Sequence, residues 1–150
     1  MLKRLLNCLR KMEPSNVYYN LIRENKMVQQ QQLFTQNVAK LILRASTLGI
    51  GLTIGDAYRS HDQQYLYFNG KTISPEGKLV DTTPHSWTMQ SNHLRRLAID
   101  FNFFIDGKLT YDVKLPQLIE LGNYWESLDK VNRWGGFWVR ADAPHFEMNI

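Results

Sequence analysis

The chain has 150 residues, 43% of them hydrophobic, which is the size and composition of one ordinary domain with a substantial core. Its only cysteine, Cys8, excludes an intramolecular disulfide and a cysteine-type zinc site. The formal charge is +4, but residues 1–26 account for all of it, because residues 27–150 carry equal numbers of basic and acidic side chains. This distribution argues against a nucleic-acid-binding surface.

Residues 1–26 predict a basic amphipathic extension that precedes a domain of residues 27–150. Leucines and Met12 recur at helical spacing between basic residues, and Pro14 is a natural stop. The segment is too short and too charged for a membrane span, and it lacks the apolar run and cleavage site of a secretory signal. A helix packed on the domain, or a poorly ordered extension, is favoured over weak contact with an anionic envelope or membrane. Met27 as the natural start is a further hypothesis.

The first half of the domain predicts a helix, a strand and a second helix. Apolar residues recur at helical spacing from Leu33 to Leu48, and Gly49 is a suitable C-terminal stop. Residues 50–55 alternate apolar and small side chains, as a strand does. A short helix is expected over residues 63–68. Residues 69–90 lack periodicity, which predicts a long surface loop that shapes a substrate groove.

The second half predicts two more strands and another helix. Residues 97–104 alternate so that Asp100 lies on the face opposite the large apolar side chains. Asp106–Gly107 predicts a tight hairpin turn, and residues 116–128 have the spacing of a helix. The final strand, residues 145–148, again separates polar from apolar side chains. The expected fold is α+β, a small antiparallel sheet with flanking helices.

Two histidines and an aspartate between residues 93 and 145 are a sufficient ligand set for a catalytic zinc ion with one position open to water. They are His93, Asp100 and His145. Their wide separation excludes the helical His-Glu-x-x-His motif, so the fold must bring them together. Asp142, three residues before the last histidine, is placed to act as general base for the water. The pattern predicts a zinc hydrolase.

Around these residues the order Ser-x-His-(six residues)-Asp, Trp-Gly-Gly-x-Trp and Asp-x-x-His-Phe-Glu resembles the zinc peptidases that cut peptidoglycan stem peptides. These include D-alanyl-D-alanine carboxypeptidases and, with greater similarity, phage L-alanyl-D-glutamate endopeptidases. The segment Gly55–Ser60 followed by Gln63 and Gln64 also matches, so the resemblance runs from about Met27 to the C-terminus. It implies a hedgehog/DD-peptidase-like fold with one zinc ion on the polar face of the sheet.

The resemblance also implies catalytic roles for two residues. Asp142 would accept a proton from the attacking water and pass it to the leaving amine. Arg59 resembles the family arginine that holds substrate or the developing oxyanion. The alternative for Arg59 is a surface ion pair with Asp56 or Asp62.

Three residues are assigned to substrate binding by the same resemblance, namely Ser91, Tyr58 and Trp138. Ser91 either orients the loop of His93 or contacts substrate, and a nucleophilic role is disfavoured because activated water makes a covalent intermediate unnecessary. Glu147 is either a supporting partner on the face of the site or a solvated edge carboxylate.

One residue departs from the family pattern. Arg96 stands where many members have glycine, which predicts an ordinary backbone conformation or a shifted turn at this position. His61 and His85 match no motif and are expected to be surface or groove residues.

The resemblance favours a zinc metallopeptidase that acts on bacterial peptidoglycan, most similar to phage endolysins that cleave between L-alanine and D-glutamate. A D-alanyl-D-alanine carboxypeptidase is the nearest alternative, and a non-catalytic peptidoglycan-binding or phage structural protein is the alternative from another class. A monomer that binds no nucleic acid is expected. Without a secretion signal, the expectation is synthesis in the host cytoplasm and access to the periplasmic or extracellular wall after phage-type release.

Overall fold

The computed structural model describes the backbone of residues 14–150 and the side chains of residues 25–150. The amphipathic helix predicted up to Met12 lies outside the described residues. The chain divides into two compact units between Thr35 and Gln36. The predicted division at Met27 stays a prediction. Within the described part of the chain, no helix combines the length and apolar character needed to cross a membrane.

Ten helices and strands and two short 3₁₀ turns make up the described chain. In order they are α1 (Pro14–Thr47), β1 (Ile50–Ile54), α2 (His61–Phe68), β2 (Lys71–Ile73), β3 (Leu79–Asp81), the turn Asn92–Arg95, β4 (Ala98–Ile105), β5 (Lys108–Thr110), α3 (Pro116–Leu128), β6 (Asn132–Trp134), the turn Gly135–Phe137 and β7 (His145–Met148). The predicted helices and strands are confirmed, although α1 begins earlier than its apolar stripe indicated. The prediction that residues 69–90 lack secondary structure was wrong, because β2 and β3 pair as an antiparallel hairpin within them.

The five-stranded sheet has the order β1-β4-β7-β6, with β5 also paired to β4, and every pair is antiparallel. Asp106–Gly107 joins β4 to β5 with positive φ at both residues, as predicted for a tight hairpin turn. In the register of β4 and β7, Asp100 lies opposite His145 and Ile99 lies opposite Phe146. Since side chains alternate along a strand, the two polar residues share one face and the two apolar residues share the other. The predicted α+β class is confirmed.

The apolar face of the sheet packs around Phe146. Its ring makes edge-to-face contacts with Phe101 and Trp125 and a stacked contact with Trp134, at centroid distances of 5.8–6.1 Å. The indole of Trp134 is fully buried and donates a hydrogen bond from Nε1 to the carbonyl of Ala143 (2.8 Å). This cluster fixes β7, the strand that carries His145, against α3.

Gly122 in α3 is the position where an added methyl group has the least room. A Cβ there would lie 2.0 Å from Cε3 of Trp134. Alanine is normally about 1 kcal/mol better than glycine in a helix, but overpacking in a core costs about 1–3 kcal/mol. We therefore expect Gly122→Ala to lower the free energy of unfolding by about 1–2 kcal/mol, measured by denaturant titration. The control is Asn123→Ala on the exposed side of α3, which is expected to have little effect. Greater stability of Gly122→Ala would contradict this packing.

Candidate active site

The three predicted metal ligands converge although they are far apart in sequence. The pairing of β4 with β7 places Asp100 beside His145. His93 lies on the 3₁₀ turn that leads into β4. Ser91 caps the start of this turn, and its Oγ accepts a hydrogen bond from the backbone N–H of His93 (3.3 Å). Ser91 thus orients the loop of His93, which is one of its two predicted roles.

The candidate ligand atoms are spaced as in the tetrahedral coordination of a zinc ion. Asp100 Oδ1 lies 2.9 Å from His145 Nδ1 and 3.3 Å from His93 Nε2, and the two imidazole nitrogens are 3.3 Å apart. Zinc bonds of about 2.0–2.1 Å in tetrahedral geometry separate the ligand atoms by roughly 3.3 Å. The three residues are therefore close enough to hold one metal ion together.

Hydrogen bonds fix the imidazoles so that one nitrogen of each faces the cluster. His93 Nδ1 lies 2.7 Å from the carbonyl oxygen of Ala57 and must carry the proton, because a carbonyl only accepts. His145 Nε2 lies 3.2 Å from Oε2 of Glu147, which also accepts from the Asn92 amide (2.8 Å). Metal-binding histidines are usually oriented in this way. Glu147 is thus a supporting partner rather than a solvated edge carboxylate.

The carboxylates of Asp100 and Glu147 favour positive charge on the imidazole of His145. Burial opposes ionisation of Asp100, but hydrogen bonds from His145 and His93 outweigh it and hold the pKa of Asp100 well below its usual range. Burial alone would lower the pKa of His145, but its hydrogen bonds to Asp100 and Glu147 raise that pKa to about 9. A site that stabilises a proton this strongly also suits a cation that displaces it.

Arg59 lies at the edge of the cluster and is only 8% exposed. Its Nε and Nη2 donate to Oδ2 of Asp56 (3.1 and 2.7 Å), and its Nη2 lies 4.0 Å from Oδ2 of Asp100. The guanidinium also lies over the ring of Tyr67, 4.8 Å from its centroid. The predicted ion pair with Asp56 therefore exists, with a buried guanidinium and a partly exposed carboxylate, and it holds the cation in place beside the candidate ligand Asp100.

Gln64 is a supporting residue to which the sequence assigned no role. It is fully buried, and its Oε1 accepts from Arg59 Nη1 (2.9 Å). Its amide nitrogen donates to Ser86 Oγ (2.7 Å) and to the Thr88 carbonyl (2.5 Å). A single amide thereby connects the guanidinium of Arg59 to the loop that follows β3.

Replacing Gln64 with leucine should damage both stability and catalysis. The change leaves Arg59 Nη1 and the Thr88 carbonyl without this partner, and a buried unsatisfied polar group costs about 1–3 kcal/mol. We expect an unfolding free energy lower by about that amount, together with a reduced kcat, because the cation is less firmly oriented. Gln63→Leu is the matched control, because Gln63 is the neighbour of Gln64 and its side chain makes none of these hydrogen bonds. Equal behaviour of the two variants in denaturant titration and kinetics would contradict the assignment.

A cavity of about 730 Å³ opens in front of the cluster, and Asp142 and Trp138 line it with the three ligands. Two backbone hydrogen bonds hold the loop of Asp142. The N–H of Asp142 donates to the carbonyl of Gly135 (2.9 Å), and the N–H of His145 donates to the carbonyl of Asp142 (3.1 Å). Desolvation of the carboxyl group raises the pKa of Asp142. The arrangement places a carboxyl group suited to acid–base chemistry in the same cavity as the candidate metal position.

The residues assigned to substrate binding do not all reach this cavity. Ser91 and Trp138 line it, and the Trp138 ring centroid lies 5.3 Å from that of His145. Tyr58 is not among the lining residues; its ring lies under the guanidinium of Arg96 at 4.1 Å. The ring of Tyr58 therefore contacts Arg96, and its assignment to substrate binding stays a prediction.

The expectation of an ordinary backbone at Arg96 was wrong, since this residue has φ 57° and ψ 38°. Its N–H donates to the carbonyl of His93 (3.2 Å), and the N–H of Leu97 donates to the carbonyl of Asn92 (3.0 Å). The second bond depends on the left-handed conformation of Arg96, as in other helix ends of this kind. That conformation costs a non-glycine residue about 1–2 kcal/mol. Stacking on Tyr58 offsets roughly 0.5–1 kcal/mol of the cost. The turn Asn92–Arg95 therefore ends in a left-handed residue although Arg96 replaces the glycine of the family pattern.

Several lining residues come from the region between α2 and the turn of His93. They include Tyr67 at the end of α2 and His85 and Trp87 in the loop after β3. The ring of His85 lies 5.4 Å from that of Tyr67. Because His85 lines the cavity, the expectation that it is a surface or groove residue is confirmed. The predicted groove-shaping role of residues 69–90 agrees with this lining.

Comparison with known proteins gives one family match. Residues 84–148, which carry the three candidate ligands and Asp142, match the model of the D-alanyl-D-alanine carboxypeptidase family. A search of curated proteins finds no significant match. Among solved structures, the chain is similar to the Serratia marcescens L-Ala D-Glu endopeptidase ChiX, with TM-score 0.49 and 18% identity over 72% of this chain and 77% of that one. Over residues 84–148 the family match supports the resemblance to D-alanyl-D-alanine carboxypeptidases stated from the sequence.

Proposed function

We propose, starting from the match of residues 84–148 to the D-alanyl-D-alanine carboxypeptidase family, that this protein is a zinc metallopeptidase of peptidoglycan stem peptides. The bond that it cuts joins L-alanine to D-glutamate. The observation that carries the proposal is the convergence of His93, Asp100 and His145 at 2.9–3.3 Å, in a cavity that also contains Asp142 and Arg59.

The donor set suits zinc, with two imidazole nitrogens, one carboxylate and the open cavity on the remaining side. A zinc ion held there would activate water for attack and polarise the scissile carbonyl. The chain contributes the orientation of the donors. Ala57 and Glu147 keep the proton of each imidazole on the nitrogen that faces away from the cluster.

Two further side chains complete the chemistry. Asp142 accepts the proton of the attacking water and returns it to the leaving amine, a role that suits a carboxylate with a raised pKa. Arg59 offers fixed positive charge on the side of Asp100 for the oxyanion that develops on the carbonyl oxygen. Because Asp56 and Gln64 already hold the guanidinium, little reorganisation is needed during the reaction.

Cleavage between L-alanine and D-glutamate is favoured over release of terminal D-alanine. The sequence around Tyr58–Ser60 and Asp142–Phe146 is more similar to the phage endopeptidases. A cavity of about 730 Å³ also accommodates several residues of an extended stem peptide. The carboxypeptidase remains the second candidate, because the description of the matched family names that reaction. Monomeric action on the wall after phage-type release belongs to the same proposal.

A synthetic stem peptide separates these reactions. The zinc-loaded protein is incubated with N-acetyl-L-Ala-γ-D-Glu-L-Lys-D-Ala-D-Ala, and the products are identified by mass spectrometry. The proposal predicts N-acetyl-L-alanine and a tetrapeptide with a new D-glutamate amino terminus. Free D-alanine with an intact L-Ala-D-Glu bond would reject the endopeptidase and select the carboxypeptidase. Binding without any product would select the non-catalytic peptidoglycan-binding protein.

A further inference from the structure

Arg140 and Trp87 form a stacked pair at the edge of the cavity. The guanidinium carbon lies 3.5 Å from the centroid of the indole ring. Trp87 lines the cavity, and Arg140 belongs to the exposed loop between Trp138 and Asp142, both of which also line it. The pair therefore brings the loop after β3 together with the loop that carries the proposed general base.

Arg140 has free hydrogen-bonding capacity that Arg59 lacks. Among residues 25–150, no carboxylate lies within ion-pair distance of Arg140, whereas the guanidinium of Arg59 is held by Asp56 and Gln64. A guanidinium that stacks on a ring uses its face, so the N–H donors in its plane remain available. Stacking on Trp87 also restricts the side chain before any ligand arrives, which lowers the entropy cost of binding. Such a group is suited to bidentate recognition of a carboxylate.

The proposed substrate carries a carboxylate at the corresponding place. In a stem peptide, D-glutamate is linked onward through its γ-carboxyl group, so its α-carboxylate is free. This carboxylate is bonded to the same carbon as the leaving amine. Asp142 returns the proton to that amine, which places the leaving residue against the loop 138–142. Arg140 is two residues from Asp142 in this loop.

We propose that Arg140, held on Trp87, binds the α-carboxylate of the residue that supplies the leaving amine. The inference rests on the proposed function and adds a specificity to it. Peptides with D-glutamate are preferred over peptides with D-isoglutamine, in which the α-carboxylate is replaced by a neutral carboxamide. Arg59 does not fill this role, because Asp56 and Gln64 hold its guanidinium on the side of Asp100, where it faces the developing oxyanion.

The test compares two synthetic peptides that differ only at this group, N-acetyl-L-Ala-γ-D-Glu-L-Lys and its D-isoglutamine counterpart. Hydrogen bonds to a charged group make the expected preference of the wild-type protein about 10- to 100-fold in kcat/KM. In Arg140→Gln this preference is expected to shrink to about threefold or less, through loss on the carboxylate peptide alone. Arg140→Lys should retain part of it, since lysine keeps the charge and loses the planar fork. Lys108→Gln, on the exposed hairpin of β5, is the control for net charge.

The outcomes separate the two proposals. Cleavage of both peptides with an unchanged preference in Arg140→Gln overturns the role of Arg140 and leaves the endopeptidase assignment standing. Cleavage of neither peptide by the zinc-loaded wild-type protein rejects the endopeptidase, and the inference with it. A second readout does not use turnover. In an Asp142→Asn background, calorimetry should show tighter binding of the carboxylate peptide, and adding Arg140→Gln should remove the difference.

Discussion

Replacing His93 with alanine is expected to eliminate both zinc retention and peptide hydrolysis. The change removes one of three candidate ligands whose donor atoms lie 2.9–3.3 Å apart, and the two residues that remain leave a site with too few protein donors. Loss of a supporting partner alone typically costs about 10- to 100-fold in metal affinity or activity, so loss of a ligand should exceed that range. Zinc per protein molecule after gel filtration and turnover of the acetylated peptide are the two measurements.

The control is His85→Ala. His85 lines the same cavity but does not belong to the cluster of His93, Asp100 and His145. This variant should keep one zinc ion per molecule and remain folded. Wild-type zinc content in His93→Ala would show that the ligand set is assigned wrongly.

Asp142→Asn should separate catalysis from metal binding. The amide preserves the size of the side chain but cannot accept a proton from water, and general base catalysis contributes about 10²- to 10⁴-fold to rate. We expect kcat to fall by a factor in that range while zinc content and peptide affinity stay near their wild-type values. Single-turnover kinetics at several peptide concentrations measure the rate and the peptide affinity, and metal analysis of the same preparation measures the zinc content.

Asp62→Asn provides the matched control for this substitution, because Asp62 is an exposed acid on α2 and does not line the cavity. Its kinetics should be unchanged. If Asp142→Asn retains kcat within about threefold of wild type, another group must act as the base, because that change is far below the usual contribution.

The helices and strands that position the site were predictable because each has a strong local pattern. In β4, large apolar side chains alternate with polar ones, and burial follows this alternation at Phe101 and Phe103 while Asp100 stays on the opposite side. The turn at Asp106–Gly107 requires two positive φ angles, and its residue types are those that tolerate them. The hairpin of β2 and β3 escaped prediction because its strands have three residues each and bury no residue fully.

The convergence of His93, Asp100 and His145 was predictable from residue type and motif order, but the residues that support this cluster were not. Gln64 is a single buried amide in a short helix, and a single position has no periodicity to distinguish it from its neighbour Gln63. The stacking of Arg140 on Trp87 joins residues 53 positions apart, which no local pattern reveals. The backbone conformation of Arg96 was predicted wrongly for a related reason. Part of its energetic cost is offset by contact with Tyr58, which lies outside the motif that contains Arg96.

The most direct test of the central claim is mass spectrometry of purified peptidoglycan after incubation with zinc-loaded protein and with a chelated sample. The account predicts new D-glutamate amino termini with the loaded protein, none after chelation, and their return when zinc is restored. Products that form equally in the chelated, metal-free sample would contradict a metal centre at His93, Asp100 and His145.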